Sequence, residues 1–171
     1  MDRRFDYRQG REIAEAFGRH GVEYLFLGKS GAIILGFPET TQDADLFVRK
    51  SPENGRAIVA ALVEMGFPLD ARQQEEIRRG KDFVQIRTGP FDLDLVFAPD
   101  GIETFEDAKR RSLVVEGMAV CHIDDIIRSK EAAHRAKDVE SLPRLKAFRD
   151  WWVNRTASPG SAPGSSPGRG G

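Results

Sequence analysis

Residues 27–48 read LGKSGAIILGFPETTQDADLFV, and this stretch decides the expected fold. An apolar strand ends at Gly28, a short helix capped by Ser30 follows, and the alternating segment DADLFV predicts a second strand. The Gly-Lys-Ser is not a P-loop, because that motif needs a glycine at position 23, where Glu23 stands. Two interpretations remain open. Gly28 and Ser30 form an ordinary strand-to-helix turn, or they join Lys29 in gripping a phosphate at the free amides of the helix.

Two pairs of aspartates occur on predicted strands. Because side chains alternate along a strand, Asp43 and Asp45 project from one face, and Asp92 and Asp94 in the segment FDLDLVF do the same. Carboxylates held together repel unless a cation lies between them, and Mg²⁺ prefers such oxygens together with substrate phosphates. The pattern therefore predicts either two solvated strand faces or, if the strands are neighbours, a metal site for phosphoryl or nucleotidyl transfer.

Helical and strand-like patterns alternate along the rest of the chain. Ser51-Pro52 ahead of an apolar stripe, and turns at Gly89-Pro90 and Glu116-Gly117, help to predict the order α-β-α-β-α-α-β-β-α-β-β-α-α. Pro143 is expected to define or kink the first turn of the last helix. The expected class is α/β (α+β), a small mixed sheet flanked by helices and completed by C-terminal helices.

Composition and charge limit the classes of protein to consider. The 171 residues include 26 Lys+Arg and 27 Asp+Glu, so the chain lacks the uniform positive charge of many nucleic-acid binders. A single cysteine, Cys121, excludes a disulfide framework and is expected to be buried and inert. The chain shows neither a signal-peptide core nor an apolar run of membrane-span length, so we expect a cytoplasmic protein with no membrane association. We also expect one domain over residues 1–155 and a disordered Ser/Pro/Gly-rich tail over 156–171.

Taken together, these motifs resemble the DNA polymerase beta-like nucleotidyltransferase superfamily. Its pattern is a strand, a Gly-Gly or Gly-Ser turn, a short helix, and then Gly-x-Pro-x-x-Thr-x-Asp-x-Asp. The matching positions are Gly28-Lys29-Ser30, Gly36-Phe37-Pro38, Thr41, Asp43 and Asp45. A closer similarity is to the bacterial branch that contains AbiEii-type toxins, MenT-like toxins and related small nucleotidyltransferases. That branch adds an Asp-apolar-apolar strand and the helical pattern Lys-x-x-Ala-x-Arg-x-Lys-Asp, found here as Asp94-Leu95-Val96 and residues 130–138.

The resemblance implies a nucleotidyltransferase fold and the metal-dependent transfer of NMP from an NTP, such as ATP, to an acceptor hydroxyl. Asp43 and Asp45 would hold two Mg²⁺ ions, and Asp94, or less well Asp92, would complete the second site and assist deprotonation of the acceptor. The residues expected to bind the nucleotide and its phosphates are Gly28, Lys29, Ser30, Thr41, Lys130, Arg135, Lys137 and Asp138. Lys29 and Glu39 depart from the pattern, which usually has a glycine or serine and an arginine at these places.

Several identities of the acceptor stay open. The toxin branch implies a tRNA 3′ end as the acceptor, with the chain acting as the toxin of a pair that has a cognate antitoxin protein. The alternative acceptors are a protein hydroxyl and a small molecule such as an aminoglycoside. The alternative to an enzyme is a non-catalytic module that binds a nucleotide or a partner. Trp151 and Trp152 are expected to be core residues rather than a platform on which a base stacks.

Overall fold

The computed structural model describes residues 4–157, without the side chains of Lys137, Thr156 and Ala157. Residues 158–171, which form most of the predicted tail, lie outside this description. The elements are α1 (Tyr7–Arg19), β1 (Tyr24–Leu27), α2 (Gly28–Ile34), β2 (Asp43–Val48), α3 (Pro52–Glu64), α4 (Ala71–Arg79), β3 (Phe83–Ile86), β4 (Asp92–Val96), α5 (Phe105–Arg111), β5 (Leu113–Val115), β6 (Met118–Val120), α6 (Ile123–Ala133) and α7 (Ala136–Ala157). This is the predicted order.

The strands form one mixed sheet in the order β3-β4-β2-β1-β6-β5. The pairs β2–β4 and β1–β6 are parallel, while β1–β2, β3–β4 and β5–β6 are antiparallel. The predicted fold class, a small mixed sheet flanked by helices, is therefore confirmed. Strand β2 lies at the centre of the sheet between β1 and β4, so its side chains are held from both sides.

Helices cover both faces of the sheet, and the alternation of β2 explains how. Ala44, Leu46 and Val48 point into a core that includes side chains from α1, α3 and α4. Leu25 and Leu27 of β1 point to the opposite face, where α2, α5, α6 and α7 supply the second core. Because strand side chains alternate, Asp43 and Asp45 lie on this second face, beyond the end of its apolar core.

The cap of α3 and the turn between β5 and β6 form as the sequence predicts. Ser51 is the N-cap of α3 and accepts a hydrogen bond of 3.0 Å from the Asn54 amide, with Pro52 at the first helical position. Glu116 and Gly117 both have positive φ, 48° and 82°, which is the backbone of a two-residue hairpin turn between β5 and β6. In the described part of the chain, none of the helices has both the length and the apolarity that crossing a bilayer requires.

Two predicted details of the helices are wrong. Pro143 lies well inside α7, which already begins at Ala136, rather than in its first turn. Pro143 is on the exposed side of that helix, where water can satisfy the carbonyl that the missing amide leaves unpaired. Ser30 does not cap α2, because the helix begins at Gly28 with Leu27 as its N-cap.

The aromatic pair near the end of α7 divides between core and surface. Trp152 packs against the second core, as predicted, but Trp151 is 50% exposed, so its assignment to the core is wrong. Trp151 stacks on Phe148 and carries the Arg155 guanidinium 5.2 Å from its ring centroid, which leaves much of the indole in solvent. Cys121 is fully buried, as predicted, and burial raises the pKa of its thiol.

Candidate functional site

The register of the two acidic strands brings their aspartates together. Strands β2 and β4 pair in parallel with Asp43 opposite Asp92 and Asp45 opposite Asp94. Residues opposite each other in a sheet project from the same face, so all four carboxylates share one side. The condition that the sequence left open, that the two acidic strands are neighbours, is therefore met.

A cavity of about 460 Å³ opens above this face of the sheet. Its walls come from the turn after β1, the strands β2 and β4, the loop after β4, and the junction between α6 and α7. The predicted site residues that line it are Gly28, Lys29, Thr41, Asp43, Asp45, Asp94, Lys130 and Arg135. Ser30, Asp92 and Asp138 are not among the lining residues, and the side chain of Lys137 lies outside the described structure.

Asp45 and Asp94 lie opposite each other on the two acidic strands and both line the cavity. Asp94 is only 5% exposed, and its carboxyl group lies within hydrogen-bonding reach of the Asp45 carboxyl. Burial raises the pKa of Asp45 well above its ordinary value, the charge of Asp94 raises it further, and Lys130 offsets part of the rise. A carboxyl group with a raised pKa beside a second, buried carboxyl group at a cavity is typical of an active site or a metal site.

Arg87 is a site residue that the sequence reasoning missed. Its Nη1 lies 3.0 Å from Asp94 Oδ1, and its Nη2 lies 3.4 Å from Asp43 Oδ2. Arg87 directly follows β3, where Gln85 is paired with Asp94, so alternation places Arg87 on the acidic face as well. The signal was therefore in the alternation of the segment FVQIR, but it has meaning only once β3 is known to pair with β4.

The acids of the described structure are not arranged as a complete set of metal ligands. Among residues 4–157, no three His, Cys, Asp or Glu side chains already stand in a metal-binding arrangement. Asp45 faces Asp94, while Asp43 and Asp94 both face Arg87. Asp94 Oδ1 is buried and has no aligned hydrogen-bond donor within the described residues. The cation nearest to this oxygen in the described structure is the Arg87 guanidinium, whose Nη1 lies 3.0 Å away.

Gly28 is required by the packing of the turn against Asp45. Its φ is +60°, in the left-handed region that glycine adopts readily, and a Cβ at this position would lie 2.2 Å from Asp45 Oδ2. The backbone of the turn therefore approaches the carboxylate more closely than any other residue type allows. This close approach fixes the position of the Asp45 side chain at the cavity floor.

Ser30 holds the backbone of the site from below. Its hydroxyl donates to the Leu27 carbonyl over 2.9 Å and accepts from the Asp45 amide over 3.0 Å, and the residue is fully buried. Both hydrogen-bonding roles of the hydroxyl are occupied, so the structure gives Ser30 a different task from the predicted phosphate contact. The serine joins the turn after β1 to β2 and thereby fixes the position of the Asp45 backbone.

The variant Ser30→Ala is expected to lose about 1–3 kcal/mol of unfolding free energy, because one buried and one half-buried backbone group lose their hydrogen bond to the hydroxyl. Urea denaturation of the variant and the parent would measure this loss. The control Ser112→Ala removes a hydroxyl that donates to the Lys109 carbonyl at an exposed site, and a much smaller change is expected. A rise in the KM for nucleotide at unchanged stability would contradict the assignment and restore Ser30 as a phosphate contact.

Asp138 gathers the basic side chains at the α6–α7 junction. Lys130 Nζ lies 3.1 Å from Asp138 Oδ1, and Arg135 Nε lies 2.7 Å from Oδ2. Burial alone would raise the pKa of Asp138, but the hydrogen bonds from Arg135 and Lys130 bring it below its ordinary value. Asp138 is fully buried beneath these two cations, so it positions Lys130 and Arg135 at the cavity wall rather than meeting a ligand itself.

Lys29, at the mouth of the turn, belongs to a second ion-pair network. Its Nζ lies 3.4 Å from Glu39 Oε1, and Glu39 also pairs with Arg144 of α7. The hydrogen bond from Arg144, helped by Lys29, keeps the pKa of Glu39 below its ordinary value. Lys29 and Glu39, the two positions at which the sequence departs from the pattern that it resembles, form an ion pair with each other.

Because of Asp45, the stability of the metal-free protein is expected to fall as the pH rises. Because its pKa is raised in the folded state, the folded chain holds the Asp45 proton more tightly, and stability falls as the pH rises through the interval above the ordinary aspartate pKa of about 3.9. Asp45→Asn cannot ionise, so in EDTA at about pH 8 its Tm should exceed that of the parent by roughly 2–4 °C. Parallel curves of Tm against pH for the two proteins would contradict this.

Comparisons with known proteins give only distant likeness. No protein-family model and no curated protein matches the chain. A similar solved structure is that of a Thermotoga maritima protein provisionally assigned as a nucleotidyltransferase; it is 13% identical, the TM-score is 0.47, and the match covers 86% of this chain and 92% of that one. A likeness of this extent does not transfer an activity, so function must be argued from the residues of the site.

Proposed function

We propose that the chain is a metal-dependent nucleotidyltransferase that moves NMP from an NTP to an acceptor hydroxyl. The observation that carries the proposal is the register of β2 and β4, which sets Asp45 beside Asp94, with Asp43 on the same face, at the floor of a cavity whose wall carries Lys130 and Arg135. Carboxylates below and cations beside one cavity suit a substrate that is a polyphosphate bound with a divalent ion.

The residues fit Mg²⁺ by their chemistry. Asp43, Asp45 and Asp94 supply the hard oxygen ligands, and the buried Asp94 Oδ1 has no aligned donor in the described structure. Gly28 lets the turn pack against Asp45 and so holds one of these ligands in place. Bound Mg²⁺, expected as two ions, would neutralise charge on the phosphates and on the oxygens that attack and leave. Asp92 pairs with Asp43 but does not line the cavity, which favours Asp94 as the third acid.

The chain's own residues then bind and orient the substrate. A cavity of about 460 Å³ is of the size that accommodates a small ligand, and Lys130, Arg135 and Lys29 at its walls would contact the phosphates. Thr41 lines the same cavity from the loop before β2. The acceptor oxygen attacks the α-phosphorus as its proton passes to Asp94. The bond from that phosphorus to the bridging oxygen breaks, and pyrophosphate leaves. Positioning and charge neutralisation supply most of the rate in such transfers.

The acceptor we propose is a tRNA 3′ end, with the chain acting as the toxin of a pair that includes an antitoxin protein. This finer proposal rests on the resemblance in the segments containing Asp43-Ala44-Asp45 and residues 130–138. Lys130 and Arg135 at the cavity wall would meet the phosphates of an RNA end as well as those of the nucleotide. A protein hydroxyl and an aminoglycoside hydroxyl are the alternative acceptors, and the chemistry at phosphorus is the same for all three.

The test is a labelling assay with the full chain, Mg²⁺ and each of the four NTPs carrying the label at the α-phosphate. Total tRNA, a protein extract and an aminoglycoside are offered as separate acceptors. We expect label in the tRNA fraction and release of unlabelled pyrophosphate. Label in another fraction would identify a different acceptor and leave the proposed class of enzyme unchanged. No label in any fraction, together with unchanged nucleotide binding by Asp45→Asn, would overturn the proposal in favour of a non-catalytic binding module.

A further inference from the structure

Arg87 places a guanidinium among the carboxylates that the proposed function assigns to a metal. We call Asp43, Asp45 and Asp94 the acidic cluster. Arg87 contacts two of its members, at 3.0 Å from Asp94 Oδ1 and 3.4 Å from Asp43 Oδ2. It is supplied by β3, the strand at one edge of the sheet, whereas the acids come from β2 and β4. The cation is therefore brought to the cluster by a different element from the one that carries most of the acids.

Arg87 divides its two terminal nitrogens between two acids, with Nη1 on Asp94 and Nη2 on Asp43. Arg87 Nη1 is close enough to Asp94 Oδ1 to hydrogen-bond, yet no donor in residues 4–157 is aligned on this buried oxygen. A bidentate arginine–carboxylate pair, which fixes both partners, would leave no such oxygen. Arg87 therefore shares its charge between two carboxylates instead of locking one of them in a bidentate pair.

The two partners also differ in how easily they can move. The Arg87 side chain is 39% exposed, while the Asp94 side chain is 7% exposed and belongs to a strand paired on both sides. Arg87 lies just beyond the last residue of β3, so its long side chain can rotate towards solvent without breaking the sheet. Departure of the arginine is therefore far less costly than movement of the aspartate.

We propose that Arg87 is an internal counter-ion that neutralises the acidic cluster in the metal-free protein and competes with a divalent cation for Asp43 and Asp94. This inference rests on the proposed function for the identity of the cation, but it adds a residue which that function does not use. It explains why the acids are brought together without forming a ready-made cage, because two of them are turned towards the arginine. Loading of the cation requires Arg87 to move away from the cluster.

The experiment measures binding of Mn²⁺ to the nucleotide-free, full-length chain by electron paramagnetic resonance. Removal of a positive charge near the cluster should tighten Mn²⁺ binding by Arg87→Gln on the order of tenfold, and Arg87→Lys should fall between this variant and the parent. The matched control is Arg8→Gln, which removes an exposed arginine paired with Glu12 at 3.9 Å on α1; its affinity should equal that of the parent. In EDTA the Tm of Arg87→Gln should lie below that of the parent, and saturating Mn²⁺ should remove the difference.

Equal or weaker Mn²⁺ binding by both Arg87 variants would overturn the inference and leave Arg87 as an ordinary structural ion pair. If the parent binds Mn²⁺, loses it in Asp45→Asn, and is not improved in the Arg87 variants, only this inference fails. If none of the proteins binds Mn²⁺, the metal requirement of the proposed function fails as well. Arg87→Lys keeps the charge, so it supplies the comparison if Arg87→Gln does not fold.

Discussion

Replacing Asp45 by asparagine is expected to lower the rate of nucleotidyl transfer by at least about 10³-fold while the chain stays folded. Asparagine keeps the size of the side chain and can still contact Asp94, but it removes the negative oxygen on which the proposed cation depends. The same labelled-NTP assay measures the rate, and circular dichroism confirms the fold. A loss of activity that accompanies unfolding would not count as support, so the two measurements belong together.

Asp92→Asn is the matched control for this prediction. Asp92 is an aspartate on the same face of the sheet and pairs with Asp43, but it does not line the cavity. We expect Asp94→Asn to lose activity as severely as Asp45→Asn, and Asp92→Asn to lose less than about tenfold. The reverse order between Asp92 and Asp94 would show that the third acid has been assigned to the wrong residue.

Gly28→Ala is expected to have the second-largest effect, because it places a methyl group against the Asp45 carboxylate. The left-handed backbone costs alanine about 1 kcal/mol, and the Cβ would approach Asp45 Oδ2 to 2.2 Å, so either the turn or the carboxylate must shift. A displacement of this kind at a catalytic group should reduce activity by at least about 10²-fold. Urea denaturation and the transfer assay on the same preparation measure the two effects.

Gly21→Ala separates the backbone cost from the collision. Gly21 has a similar φ of +67°, but a Cβ there would meet nothing within 4 Å. The control should therefore lose about 1 kcal/mol of stability and keep its activity. If Gly28→Ala and Gly21→Ala behave alike, the close approach of the turn to Asp45 has no functional consequence.

Much of the fold could be predicted because its signals are local. The alternation in DADLFV and FDLDLVF, the N-cap Ser51 ahead of Pro52, and the Glu116-Gly117 turn each depend on neighbours within a few residues. Local preferences of this kind set the order of elements before any long-range contact forms. They failed at Pro143, because exposure of that side of α7 tolerates a proline that a buried helix would not.

The aspartates of the candidate site could be predicted from the sequence, whereas the roles of neighbouring residues could not. Ser30 looked like a phosphate contact because a serine after a glycine turn is common at such sites, and only the burial of its hydroxyl shows that it supports Asp45. The sequence predicts both Trp151 and Trp152 in the core, but the two adjacent residues point in different directions from α7 and Trp151 is exposed. Arg87 belongs to no motif, and its contact with the acids depends on a strand pairing that no local pattern specifies.

By itself, the sequence determined which residues share a strand face, since the period of two places Asp43 with Asp45 and Asp92 with Asp94 whatever the rest of the chain does. It could not determine that β2 and β4 are parallel neighbours, because that pairing joins segments more than 40 residues apart across two helices and a strand. Tertiary structure decided that Asp45 lies beside Asp94, that Gly28 packs on Asp45, and that Arg87 reaches the acids. The physical reason is that charges interact through space, so a cluster of acids acquires its chemistry only when the sheet register sets the distances between them.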